Sequence, residues 1–391
     1  KMAIYRIFPD RDTIIYTEQL TGNAGKDEIL ELAGYPSTID GVGQASRILM
    51  KWETSDINDV INNKIGNFTS SAGLVLAQNR FSSSIRLFLA DATELPFEYE
   101  VEAYPIFIAG SGEWDNGTGK FGDLPVNTSG ASWTFRSSGL VNEWSTQNFT
   151  TLTTGSFVEG KAGGGNWFTG SKLNGTVDES MEFIQSHSIS TTHDLNINVT
   201  PAVRQIYTGS LANKGFLLKL EDQFEHFISS SIKLRYFGID TNTIYPPYLE
   251  FGWDDSSYNT GSLSVLDTDE CHIEVKNNKG RYVDNGKQRF RITARPTYPI
   301  RTFTTSSVYL NNFALPTASF YGLRDENTEE MVVDFSTEFT KISCDPTGPF
   351  FDIYLDGLQP ERYYRILIKT DINGSNVVVD NKNIFKVVRN G

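Results

Sequence analysis

Apolar and polar positions alternate with a period of two along much of this chain, and that period predicts strands rather than helices. Asp12-Thr13-Ile14-Ile15-Tyr16 gives the first strand. After the turn Thr21-Gly22-Asn23-Ala24-Gly25, Ile29, Leu30 and Leu32 mark a second. Arg47-Ile48-Leu49-Met50-Lys51-Trp52 is a third, expected to be buried on both faces at its centre. From Phe97 to Tyr104 aromatic or aliphatic residues alternate with Glu98, Glu100 and Glu102, so one face packs and the other meets water. Ser84–Leu89, Asp194–Val199, Gly215–Leu220 and Ile232–Phe237 follow the same logic. Tyr236 to Phe251 reads as a closing strand whose polar preface ends at Pro246 and Pro247, which cannot sit within a central ladder. Two short helices are expected. One spans Ser55–Ile61, capped by Ser55 or Asp56, and the other Thr200–Tyr207, with Pro201 in its first turn and Thr200 as its cap.

From about Gly110 to Gly170 the alternation stops, and Gly, Asn, Ser and Thr surround Trp114, Trp133, Trp144 and Trp167. Long loops carrying aromatics are functional or pinned to a sheet. Trp253–Gly261 is a polar stretch that divides the chain into 1–260 and 261–391, the second part again strand-rich, with Cys271–Lys276 and Gln288–Arg295. There, Leu358-Gln359-Pro360 is followed by Tyr363-Tyr364, an arrangement suited to a sandwich corner in which a tyrosine hydroxyl bonds back to upstream backbone. The fold class expected is all-β: an N-terminal β-sandwich of jelly-roll or carbohydrate-binding-module type with long Gly/Trp-rich loops, then a smaller immunoglobulin- or fibronectin-III-like sandwich.

Composition narrows the function classes. Aromatic residues make up 13% of the chain, which favours pleated surfaces. A formal net charge of −14 leaves no basic face for phosphates, so nucleic acid is not an expected partner. No apolar run reaches the roughly 20 residues that span a bilayer, and the start Lys1–Arg6 lacks a signal-peptide apolar segment, so a protein folded in a cytoplasm without a membrane partner is expected. Cys271 and Cys344 are too few and too far apart for a disulfide framework or a zinc site, and two partly buried thiols are the default.

The order of signals over residues 5 to 255 resembles the DNRLRE-type domain, a β-sandwich related to carbohydrate-binding modules. The matching segments are Asp12-Thr13, Asn23-Ala24-Gly25, Arg47–Trp52, the insertion Glu113–Gly119 with Gly130-Ala131-Ser132-Trp133, the Asn196–Thr200 junction and the proline-bearing final strand. The wording of Gly163–Gly170, Thr241–Pro247 and Asp356–Ile366 resembles tailed-phage virion proteins. The resemblance implies a structural component of a phage tail, baseplate, fibre or neck, present in several copies in a virion assembled in the host cytoplasm, with other tail, baseplate or neck proteins as partners.

Candidate chemistry is sparse. Asp115, Asn116 and Asp123 place oxygen ligands in a Gly-rich loop of the kind calcium sites use, but without EF-hand spacing, and a turn satisfied by its own side chains is the plainer reading. Gly163-Gly164-Gly165 lacks the Gly-Lys-Ser/Thr of a phosphate loop and is expected to let the backbone turn tightly before Trp167. His187, His193, His226 and His272 show no metal-ligand spacing. Glu98, Glu100 and Glu102 could be spaced as a glycosidase pair, yet alternating Glu is how a strand keeps one face wet, so no enzyme and no cofactor are expected. Trp114, Trp133, Trp144 and Trp167 carry the remaining alternatives. Exposed, they could stack on a host-surface glycan; buried, they hold the loops or fill a subunit interface.

Overall fold

The computed structural model describes residues 2–36, 43–65, 81–108, 110–144, 155–160, 163–173, 176–225, 231–254, 256–299 and 311–389. The protein is all-β, with short helices only, at Thr54–Asp59, Thr200–Thr208 and Asp222–Glu225 among them. It divides into two compact units, and neither is one continuous stretch. The larger comprises Ile7–Lys64 and Ser83–Glu250; the smaller comprises Phe251–Gly391 together with Lys1–Arg6 and Ile65–Ser82, segments the sequence pattern groups with the first 260 residues.

In the larger unit, seven strands run in the order Phe183–Ser188, Glu98–Pro105, Phe216–Leu220, Gly43–Lys51, Ile29–Pro36, Ile232–Phe237 and Leu89–Thr93, and Arg11–Tyr16 also pairs with Gly43–Lys51. The central strands read as expected. Gly43–Lys51 is buried on both faces from Ala45 onward, and Glu98–Pro105 alternates exposed Glu98 and half-buried Glu100 and Glu102 with buried Tyr99, Val101 and Ala103. The closing strand Tyr248–Asp254 begins directly after Pro246 and Pro247.

Differences lie where local chemistry competes with pattern. The first helix starts at Thr54 after Glu53, and neither Ser55 nor Asp56 caps it. Thr200 is the first residue of its helix rather than the cap, which is Val199; its hydroxyl instead accepts the Ser83 N–H at 2.8 Å. The stretch expected as loop holds a hairpin, Phe135–Ser137 with Val141–Glu143, and the start of a three-stranded meander, Gly155–Gly160, Asn166–Leu173 and Thr176–Ser180, which runs past its end at Gly170. Their Gly, Ser and Thr content hides the period from the sequence.

The smaller unit is a two-layer sandwich. One sheet holds Cys271–Lys276, Lys287–Pro296, Gly348–Tyr354 and Ser343–Asp345; the other holds Arg281–Val283, Ser375–Val388, Tyr363–Ile372, Ser319–Asp325 and Met331–Val333. A chain of rings fills the space between them. Tyr321 stacks on Phe351 at 4.6 Å, Phe351 on Phe290 at 5.6 Å, and Phe290 meets Phe385 at 5.4 Å. Tyr364 donates its hydroxyl to the Gln359 carbonyl at 2.8 Å, the bond that the Leu358-Gln359-Pro360 corner predicts. Cys271 and Cys344 are free thiols, and burial pushes Cys344 up to about 11.

Candidate functional site

The tryptophans are brought together, but inward. Trp114, Trp144 and Trp167 are at most 2% exposed, and with Ile15, Leu49, Tyr104, Ile106, Ile108, Ala131 and Leu217 they form one apolar cluster against which Trp133 packs. Trp114 donates its indole N–H to the Lys214 carbonyl at 2.8 Å, and Trp144 donates to the Ser132 carbonyl at 3.0 Å. A ring without an exposed face cannot stack on a sugar, so at these three positions the buried alternative describes the molecule. Truncating a buried Trp costs about 3–5 kcal/mol. Three such rings therefore fix the insertion far more firmly than its short exposed hairpin could.

Beneath Trp133 and Trp167 lies a charge that the sequence does not announce as buried. Arg47 is 1% exposed, its guanidinium 4.8 Å from the Trp133 ring centre and 5.2 Å from that of Trp167. It donates to both carboxylate oxygens of Glu225, at 3.0 and 2.6 Å, and to the Gly164 carbonyl at 2.6 Å. Lys219, also buried, pairs with Glu102 at 2.8 Å and lies 4.0 Å from Glu225. Burial alone would lower the Lys219 ammonium, but Glu225 and Glu102 outweigh it and hold it above the ordinary lysine value. Glu102 is raised by burial, against the pull of Lys219, so the three glutamates of this strand are not equivalent. Buried ion pairs of this kind add little net stability but cost about 3–5 kcal/mol when one partner is removed.

The glycine triplet exists because of this cluster. Gly163, Gly164 and Gly165 all have positive φ (79°, 75° and 87°). A Cβ on Gly164 would stand 2.5 Å from the Arg47 guanidinium and 2.8 Å from the Trp133 ring. The tight turn expected from the sequence is real, and its purpose is to pass the backbone over Trp133.

Asn23 is the second hub. Its amide donates to the carbonyls of Asn116 (2.7 Å) and Ala131 (3.0 Å), and its oxygen accepts the N–H groups of Gly25 (3.2 Å) and Gly119 (2.9 Å). One buried side chain thus sews the 115–131 loop to the turn that leads into Ile29–Pro36. The candidate calcium ligands are each engaged in this scaffold. Asp115 accepts the Ser138 N–H at 2.8 Å, Asp123 accepts the Lys120 N–H at 2.8 Å, and Asn116 donates to the Gly25 carbonyl at 3.0 Å. These bonds hold the loop, while the buried Asn116 Oδ1 has no hydrogen-bond partner among the described residues; among the described residues no group of three or more His, Cys, Asp or Glu side chains is placed to hold a metal ion. Glu113 clamps the start of the insertion, pairing with Lys214 at 2.8 Å and Lys51 at 2.9 Å.

Among the side chains the insertion shows to solvent are several large apolar ones. Leu124 is 92% exposed, and Phe121, Val126, Leu140 and Val141 are exposed too. The loop and the hairpin flank one segment: Asn127 accepts the Asn23 N–H at 2.8 Å and Thr128 accepts the Gly139 N–H at 2.9 Å. These residues were legible only as apolar letters among turn formers. Of the histidines, His187 and His193 flank Tyr99, whose hydroxyl lies 2.6 Å from His193 Nδ1, and burial lowers the His187 imidazole. His272 is exposed, and His226 lies outside the described residues.

No family model matches the chain, and no curated protein matches it. Among solved structures it is similar to a DUF4785 family protein from Legionella pneumophila at 9% identity. That match covers 98% of this chain and 66% of the other, so this chain spans slightly less than two thirds of that protein's length. The TM-score of 0.16 is too low to carry an argument about fold or function.

Proposed function

We propose that this chain is a non-enzymatic structural component of a bacteriophage virion, from the tail, baseplate, fibre or neck, that works by docking onto other virion proteins in a symmetric assembly. The observation that carries the docking part is the inverted insertion: Trp114, Trp144 and Trp167 buried as anchors, and the apolar side chains of Phe121, Leu124, Val126, Leu140 and Val141 held out on a hydrogen-bonded frame. A preset apolar surface loses little freedom on binding, which is what a docking surface needs. Repeated copies around a symmetry axis then multiply a modest contact into a stable one. The virion assignment rests on the resemblance of the sequence segments to tailed-phage proteins. The alternative, a host-glycan adhesin using the four tryptophans, would need ring faces that Trp114, Trp144 and Trp167 do not present.

The test is composition and binding together. The protein is expected in purified particles at a fixed ratio to the other tail proteins, and Leu124→Asp is expected to lower its incorporation without unfolding it. Absence from particles, or glycan-array binding abolished by replacing Trp133, would overturn the reading.

A further inference from the structure

We infer that the Phe121–Val126 loop, with the Tyr16 ring behind it, is the docking site for a basic polypeptide segment of a partner protein, whose arginine or lysine side chains meet the carboxylates around Phe121 while its apolar side chains cover Leu124 and Val126. This rests on the docking reading above and adds the chemistry of the partner.

The Phe121 ring is 45% exposed and tilts against Tyr16 at 4.3 Å between centroids. Carboxylates line the loop and the turn it is bonded to. Asp27 accepts the Phe121 N–H at 3.1 Å, Asp123 closes the turn at Lys120, Glu28 pairs with Lys120 at 3.4 Å, and Asp240 pairs with Lys26 at 3.1 Å. Among these groups four carboxylates meet two ammonium groups. At Asp27 burial raises the carboxyl, the Phe121 N–H and Lys120 oppose that rise, and Asp123 and Glu28 add smaller repulsions. An arriving cation removes that repulsion and finds an aromatic face beside it. The frame is already set, since Asn23 holds the Gly119 N–H and Gly119 accepts the Lys26 N–H at 2.9 Å.

Charge selects the occupant. A second copy docking the same patch across a two-fold axis would set like charge against like, and an anionic membrane or nucleic acid would be repelled. An apolar partner without cations would leave the carboxylates half-desolvated and unpaired.

The experiment uses the full chain and three dye-labelled peptides of equal length, alternating Arg–Leu, Arg–Ser and Glu–Leu, with binding read by fluorescence anisotropy at low and at physiological salt. The Arg–Leu peptide is expected to bind best and to weaken with salt. Its affinity should fall about tenfold or more in Phe121→Ser/Leu124→Ser and again in Asp27→Asn/Asp123→Asn, whose amide oxygens still accept the same N–H bonds. Phe97→Ser, at another exposed ring, should leave it unchanged. Thermal unfolding checks that each variant is folded, and if the Phe121 variant is not, the Asp27/Asp123 variant decides alone. Equal binding of Arg–Ser, preference for Glu–Leu, indifference to the Asp27/Asp123 change, or equal loss in Phe97→Ser each overturns the inference. Particle incorporation that fails with Leu124→Asp but survives Asp27→Asn/Asp123→Asn would keep the docking reading and remove the basic partner.

Discussion

Asp12 lies 1% exposed on the first strand of the larger unit, accepts the Ile239 N–H at 2.7 Å, and is pushed by burial up to about 7. Its folded value thus stands above its unfolded one. The folded state keeps the proton between about pH 4 and 7 while the unfolded state has lost it, so this contribution to stability is greatest below that window and is lost as pH rises through it. The displacement corresponds to roughly 4 kcal/mol. Asp12→Asn is expected to flatten that loss, which urea unfolding at pH 4, 5.5 and 7.5 would show as a difference from wild type that grows with pH; an unchanged slope would refute it. His187 works in the opposite direction, because its lowered imidazole makes acid below the ordinary histidine value destabilising. Some of this was readable from residues: Asp12, Asn23 and Arg47 all stand in the segments that carry the family resemblance. Their roles were not. Glu225 meets Arg47 across 178 positions of chain, and a single strand pattern holds no information about a partner so distant.

At the scale of elements, alternation found the strands that have one clear core face, and it failed where small residues replace the apolar beat. Phe135–Ser137 and Val141–Glu143 form a hairpin without a single buried residue, so no hydrophobic period exists to be read there. Helix caps failed for a related reason. Thr200 has the right letter for a cap, but the neighbouring Ser83 backbone claims its hydroxyl. Within the insertion, the 115–131 loop is tied down by one amide, that of Asn23. Asn23→Ala would orphan two buried carbonyls and two N–H groups, and losing even part of that set costs about 2–4 kcal/mol. The expected result is a lower unfolding midpoint, with limited proteolysis opening first between residues 115 and 131. Cleavage spread evenly over the unit would contradict the hub.

For the whole molecule, the all-β class was open to reading because strand period, aromatic content and turn residues agree. The division into units was harder, since the smaller unit gathers Lys1–Arg6 and Ile65–Ser82 as well as the C-terminal stretch, and composition does not mark a discontinuous unit. The proposed docking surface follows from an inversion that sequence alone leaves open: the same tryptophans could have been the contact or its foundation. Buried as they are, they leave Phe121, Leu124, Val126, Leu140 and Val141 as the outward face. Hydrogen exchange read by mass spectrometry, on the isolated protein and on the protein within purified particles, tests this most directly. The account predicts that amides 113–119 and 127–135 resist exchange in the isolated protein, and that 120–126 and 139–143 gain protection on assembly into the particle. Rapid exchange across the insertion in isolation, or no gain at those tips on assembly, would contradict it.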